Sequence, residues 1–119
     1  MKVSTYRELI VWQKAMQLVK EIYFLTETFP RDETYGLASQ IQRAAVSIPS
    51  NIAEGYVRKH KKEYLHHLSI ALGSAAELET QLLICQELNK LNHLNFSQAE
   101  SLNTDILKML YVMIEKVEI

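Results

Sequence analysis

Glycine, proline and cysteine are scarce in this sequence, whose 119 residues include three glycines, two prolines and one cysteine. Glycine and proline supply most tight turns, so their scarcity leaves little material for hairpins and favours a mostly helical chain. Cys85 has no second cysteine with which to form an internal disulfide, and a lone thiol suits a reducing compartment such as the cytoplasm.

Long apolar runs are also missing. No run approaches the roughly 18 residues that a membrane span needs. Charges interrupt the apolar residues of the opening segment MKVSTYRELIVW, which is unlike a secretory signal. The composition, 48% hydrophobic and 23% charged, is typical of a globular protein. We therefore expect a single cytoplasmic domain over residues 1–119, with no membrane partner.

An excess of one charge sign is absent as well. The formal net charge is −1, which for the whole chain is not the signature of a nucleic-acid-binding protein. The charges are nevertheless unevenly distributed, with a net of +3 over residues 1–76 and −4 over residues 77–119. Most of this asymmetry comes from the short segment RKHKK at residues 58–62.

The sequence does contain clear helical periodicity. A first helix is predicted from about Arg7 to Phe29, because apolar residues recur there at steps of four and three. A second apolar row lies beside the first, and the two together cover about twice the arc that one core requires. Either this helix lies deep in its own bundle, or the second row faces another subunit. We favour a subunit interface formed by Trp12, Met16 and Tyr23.

A second helix is predicted from about Leu37 to near Gly55, because glycine is common just after the last turn of a helix. Pro49 lies inside it and has no N–H to donate to the carbonyl of the preceding turn, so a kink is expected there. The alternative is a restarted helix with Asn51 as its cap and Glu54 three residues later. We favour the kinked, nearly continuous helix.

Two further helices complete the pattern. The third runs from about Lys61 to Asn89 with an uninterrupted apolar seam that includes Cys85, which is therefore predicted to be a core residue. The fourth starts at Ser97, with Glu100 completing a capping box. These elements predict an all-α fold, an up-down-up-down four-helix bundle. The wide apolar arcs of the first and fourth helices predict a homo-oligomer.

No arrangement of residues points to catalysis. The four histidines do not have metal-ligand spacing, and the sequence lacks H-E-x-x-H, paired C-x-x-C and a glycine-rich phosphate loop. Glu77-Leu-Glu79 is not the Glu-x-x-His of a di-iron bundle. We expect no enzymatic activity, no cofactor and no metal site.

Cations follow the second helix, and we call Arg58, Lys59, Lys61 and Lys62 the basic cluster. Two of its lysines fall in the first turn of the third helix, where the helix dipole disfavours cations by roughly 0.3–1 kcal/mol each. An anionic partner explains this placement, and we predict that the cluster neutralises RNA or DNA phosphates, with Tyr56 and Tyr64 stacking on unpaired bases. The alternatives are a solvated turn and a protein-interaction scaffold without a nucleic-acid role.

Two long segments carry a family resemblance. FPRDETYGLASQIQRAAVSIPSNIAEG (residues 29–55) and KKEYLHHLSIALGSAAELETQL (residues 61–82) resemble the bacterial four-helix-bundle proteins encoded in intervening sequences of 23S rRNA genes, sometimes labelled a ribosomal protein. The chain is also similar to accessory proteins of diversity-generating retroelements, which bind nucleic acid and a reverse transcriptase through basic surfaces. The resemblance implies a ring-like homopentamer, and it implies no reaction.

Five polar residues match signature positions of this family, and we interpret them as structural or interface groups: Arg43, Asn51, Glu54, Glu77 and Glu79. Arg43 and Glu54 lie eleven residues apart on one helix, about 16 Å, which is too far for a mutual salt bridge. Glu77 and Glu79 are the acidic candidates for Arg43. His60 departs from the family pattern, which more usually has a small hydroxyl residue there.

Overall fold

The computed structural model describes residues 4–118, which contain helices and no strand. There are four α-helices, α1 to α4, and two 3-10 turns. In chain order they are a 3-10 turn at Tyr6–Glu8, α1 at Ile10–Thr26, a 3-10 turn at Arg31–Glu33, α2 at Leu37–Arg58, α3 at Lys61–Glu87 and α4 at Ser97–Glu118. Each helix packs on the next and α1 also packs on α4. The predicted all-α class is confirmed, and the packing is consistent with an up-down-up-down bundle.

The core is built from the apolar seams that the periodicity predicted. On α3 the seam is completely buried from Leu68 to Cys85. On α1, Leu18 and Ile22 are completely buried and pack in the same core cluster. Each such Leu or Ile contributes roughly 1.5–3 kcal/mol relative to an exposed position. Removal of these seams from water therefore accounts for the packing of the four helices around one core.

Helix α1 is shorter than predicted at both ends. Leu9 has an extended backbone (ψ 126°), which separates α1 from the preceding 3-10 turn. At the other end, the Thr26 hydroxyl donates a hydrogen bond to the Ile22 carbonyl oxygen at 2.8 Å and the Thr28 hydroxyl donates to the Leu25 carbonyl oxygen at 2.7 Å. Phe29 lies beyond the helix yet remains part of the core. The periodic spacing of apolar residues therefore continues beyond the end of α1, which is why the predicted helix was too long.

Helix α2 is continuous through Pro49, which is buried. The continuous helix is consistent with the predicted kinked form and contradicts a restart at Asn51, whose side chain donates to the Ser47 carbonyl oxygen at 2.9 Å. The predicted end at Gly55 is wrong, because α2 runs on to Arg58. Lys59 instead takes the left-handed conformation after the helix, with φ 61°.

Helix α3 is long and apolar enough, by length and composition, to cross a membrane. Core helices of bundles meet the same criterion, and the apolar seam of α3 is buried against its neighbours. Helix α4 begins as predicted at Ser97, but the capping box does not form. Asn95 Oδ1 accepts from the Ser97 backbone N–H at 3.0 Å, and Glu100 Oε2 accepts instead from Gln86 at 2.9 Å.

Candidate nucleic-acid interface

The basic cluster lies at the corner between α2 and α3. Arg58 ends α2, Lys59 is left-handed, His60 is extended and Lys61 begins α3. The chain therefore reverses within two residues, and all four cations of the cluster are exposed. A left-handed lysine costs roughly 1–2 kcal/mol. The tight turn keeps the cations close together on one end of the bundle.

The cations differ in their partners. Arg58 Nη2 lies 2.9 Å from Glu54 Oε2, and Arg58 Nη1 lies 3.7 Å from Glu63 Oε1. In the described part of the chain, by contrast, Lys59, Lys61 and Lys62 form no ion pair. The charges of the three lysines are therefore exposed to solvent without a carboxylate partner among the described residues, whereas Arg58 is already paired with carboxylates.

Tyr56 and Tyr64 pack against each other beside the cluster. Their ring centroids are 6.3 Å apart and the rings meet edge to face, at 84°. Both rings are half-buried, and desolvation raises the pKa of Tyr64 above its usual value, with a smaller contribution from Tyr56. The two rings, Lys59 and Lys61 contribute to a groove of about 540 Å³, which is lined by Ser4, Gly55, Tyr56, Lys59, His60, Lys61 and Tyr64. Arg58 and Lys62 lie outside the groove lining.

Behind the groove, polar side chains of α2 and α3 form a row that the sequence analysis did not identify. Ser74 Oγ donates to Ser47 Oγ at 2.8 Å. Asn51 Nδ2 reaches the same Ser47 hydroxyl at 3.0 Å, and Asn51 Oδ1 lies 3.0 Å from His67 Nδ1. His67 Nε2 in turn lies 3.9 Å from Glu54 Oε2. We call Ser74, Ser47, Asn51, His67 and Glu54 the polar row.

His67 is the residue of this site that the sequence analysis missed. Its side chain is only 13% exposed and lies between an amide and a carboxylate. The sequence did contain a signal for it. His67 and Ser74 are seven residues apart and therefore lie on one face of α3, and α2 has a polar face of its own that can pack against them. At the end of the polar row, Arg58 lowers the pKa of Glu54 through its hydrogen bond, and His67 adds to this shift.

The signature polar residues separate into two groups. Asn51 and Glu54 belong to the polar row, as described. Arg43, Glu77 and Glu79 are exposed, and the expected pairing of Arg43 with either glutamate does not form within residues 4–118. Glu77 accepts instead from the Gln81 amide at 3.3 Å. These three charges are therefore available to another chain.

The predicted interface residues of α1 lie on an apolar surface. Met16 and Tyr23 are 45% and 44% exposed, and their neighbour Phe24 is 68% exposed. Trp12 is half-buried and packs edge to face on Tyr6, with ring centroids 5.3 Å apart. We call Met16, Tyr23 and Phe24 the α1 apolar surface. The three residues line one open depression, so they form a cluster on the surface and are not scattered single positions.

Metal-ligating and nucleophilic groups elsewhere in residues 4–118 offer little further chemistry. Over residues 4–118, no group of three or more histidine, cysteine, aspartate or glutamate side chains is placed to hold a metal ion. Cys85 is buried in the core, and burial raises the pKa of its thiol to about 11. The thiol is therefore protonated at neutral pH and is a poor nucleophile.

The comparisons with known proteins identify the family and support the fold. Residues 7–112 match the model of the 23S rRNA-intervening sequence protein family. The chain belongs to this family. It is also similar to a crystal structure of a protein with unknown function from the S23 ribosomal protein family of Bacteroides thetaiotaomicron, with a TM-score of 0.76 at 26% identity over 89% of this chain and 96% of that one. No curated protein matches the sequence. The family resemblance predicted from the sequence is confirmed.

Proposed function

We propose that this protein is a non-enzymatic subunit of a homo-oligomer that associates with RNA or DNA through the basic cluster. The observation that carries the proposal is the exposure of Lys59, Lys61 and Lys62 without an ion pair among the described residues, beside a groove flanked by Tyr56 and Tyr64. Unpaired lysines are ready to neutralise phosphates, and the aromatic rings offer edges and faces for an unpaired base.

The mechanism is phosphate neutralisation with release of counterions. Each phosphate contact steepens the dependence of log affinity on log salt by about 0.9 for duplex DNA and about 0.7 for a single strand. Three contacts in one chain bind weakly. Repetition of the cluster around an oligomer raises the effective concentration of the next contact and so strengthens binding.

The α1 apolar surface supports self-association, with a second copy as its occupant. The acidic half of the chain carries exposed apolar residues of its own, Leu83 and Ile84 on α3 and Tyr111 and Val112 on α4. Residues 77–119 have a net charge of −4, so acidic side chains accompany this second set of apolar residues. Contact between unlike surfaces of identical chains repeats head to tail, and it closes into a ring where the rotation between neighbours permits closure. We propose such a ring as the assembly, with five members as the family resemblance implies.

A binding titration tests the nucleic-acid proposal. Fluorescence anisotropy with structured RNA and duplex DNA at roughly 50 and 200 mM salt gives the salt slope. The double variant Lys61→Ser/Lys62→Ser removes two contacts and is expected to reduce the slope on duplex DNA by about 1.8. The matched control Arg31→Ser/Lys108→Ser removes the same charge from exposed positions elsewhere and is expected to leave the slope unchanged.

Two results would contradict the proposal. An equal decrease of the salt slope in the cluster variant and in the control would mean that net charge, and not the cluster, drives binding. No binding by the intact protein at the lower salt would favour the alternative, a protein-interaction scaffold in which the ring binds a partner protein.

A further inference from the structure

The hydrogen bonds of Asn51 determine which nitrogen of His67 carries a proton. Asn51 Nδ2 donates to the backbone oxygen of Ser47 at 2.9 Å and to its hydroxyl at 3.0 Å. The remaining amide atom, Oδ1, is an acceptor only and lies 3.0 Å from His67 Nδ1. His67 must therefore donate from Nδ1, so in the neutral ring the lone pair lies on Nε2.

The lone pair of His67 lies beside a carboxylate. Nε2 is 3.9 Å from Glu54 Oε2, and two acceptors at this distance gain nothing from each other. The His67 side chain is 13% exposed, so water compensates little of this mismatch. A proton on Nε2 turns the nitrogen into a charged donor toward Glu54.

The same carboxylate oxygen already has a cationic partner. Arg58 Nη2 donates to Glu54 Oε2 at 2.9 Å. Protonated His67 and Arg58 would then share one carboxylate, and the repulsion between their positive charges would weaken the hold of Glu54 on Arg58. The other carboxylate beside Arg58, on Glu63, lies at the longer distance of 3.7 Å and holds the guanidinium less firmly.

We propose that protonation of His67 releases Arg58 from Glu54 and adds it to the basic cluster, so that nucleic-acid affinity rises as the pH falls. This regulation rests on the proposed function. Near neutral pH the cluster offers three free lysines, and in mild acid the Arg58 guanidinium becomes a fourth phosphate contact. Because Arg58 holds the pKa of Glu54 below its usual value, that carboxylate remains charged in mild acid.

The polar, charged and titratable groups that the described residues place near His67 lie on α2 and on α3 itself. On α2, which packs against this side of α3, they are Asn51, Glu54 and Arg58. On α3 itself, the His66 ring lies 5.3 Å from the His67 ring, and Glu63 lies one turn earlier. Protonated His66 opposes a charge on His67, whereas Glu54 favours one. His66 and His60 are exposed imidazoles beside the cluster, so the experiment replaces both with glutamine.

The test uses a His60→Gln/His66→Gln background at about pH 8 and about pH 5.5, on either side of the ordinary histidine pKa. The salt slope on duplex DNA is expected to be steeper by about 0.9 at the lower pH, which is one added phosphate contact. His67→Gln in this background should give the shallow slope at both pH values. Glu54→Gln should give the steep slope at both, and Arg58→Ser the shallow slope at both. The last two variants test the proposal even if His67→Gln fails to fold.

A second measurement does not depend on nucleic acid. In the free background protein, nitrogen NMR is expected to show the Arg58 side-chain signal moving with the same midpoint as the His67 ring. DNA binding with an identical salt slope at the two pH values overturns the switch and leaves the proposed function standing. If the protein does not bind nucleic acid at either pH, the proposed function is wrong. In that case, an Arg58 signal that does not change at the pH midpoint of the His67 ring signal overturns the switch as well.

Discussion

A Cβ atom added to Gly55 would lie 2.7 Å from the Cβ of His67, so α2 and α3 approach each other at a distance that only glycine allows. Real Cβ atoms essentially never come so close. The close approach brings His67 to the level of Asn51 and Glu54, and thereby forms the polar row.

Gly55→Ala is therefore expected to destabilise the fold. Overpacking lowers the free energy of unfolding by roughly 1–3 kcal/mol. The higher helix propensity of alanine offsets about 0.5–1 kcal/mol of this loss. Urea unfolding followed by circular dichroism measures the difference. Gly73→Ala is the matched control, because a Cβ there meets nothing within 4 Å and the substitution should stabilise α3. Equal effects of the two substitutions would show that the helix contact is looser than described.

The Cys85 thiol is expected to resist modification in the native protein. Its side chain is buried in the core and its pKa is raised to about 11, so the reactive thiolate is scarce at neutral pH. A thiol reagent such as a dithiobisbenzoate should label it at the rate of unfolding, and immediately in concentrated urea. Rapid, complete labelling of the native protein would contradict the buried placement.

The ion pairs of Lys90 make stability depend on pH at both extremes. Lys90 Nζ lies 2.9 Å from Asp32 Oδ2 and 2.7 Å from Glu33 Oε2. The hydrogen bond from Lys90 lowers the pKa of Asp32, so this stabilisation is present above the unfolded-state pKa of Asp32 and is lost as the pH falls through the folded one. Bonds to Glu33 and Asp32 raise the pKa of Lys90, so that contribution is lost as the pH rises through its folded value.

Lys90→Gln should accordingly flatten the profile of melting temperature against pH at both ends. Differential scanning calorimetry across the acid and alkaline ranges measures the profile. Lys108→Gln is the control, since Lys108 is exposed and has no ion pair within residues 4–118. The same flattening in both variants would mean that general charge, and not this bridge, shapes the profile.

Charges placed on the α1 apolar surface should dissociate the proposed oligomer. Met16→Glu/Tyr23→Glu puts two carboxylates on residues that are 45% and 44% exposed in the single chain, where they do not disturb the core. Analytical ultracentrifugation is expected to show a monomer for this variant and an oligomer for the intact protein. Tyr35→Glu changes a 95% exposed residue away from this surface and should assemble normally. An intact protein that sediments as a monomer would contradict the assembly.

The sequence alone determined the number, type and seams of the helices. The steps of four and three that bury Leu68, Leu78 and Leu82 are a local property, because a helix repeats every 3.6 residues whatever it packs against. The basic cluster was visible for the same reason, since its members are adjacent in the chain. The family could also be recognised from the sequence, because two continuous segments resemble it and this resemblance does not depend on the fold.

Only the tertiary structure decided which polar faces meet. Periodicity places Ser47 and Asn51 on one face of α2, but their contact with Ser74 and His67 depends on how close α2 and α3 come and how they are rotated. A rotation of one residue step, 100°, would present a different face. The same geometry separates Arg43 from Glu77 and Glu79. It also makes Gly55, an expected helix end, a position at which α2 and α3 approach closely. Contacts between helices depend on the packing of all four seams at once, which no single segment of sequence encodes.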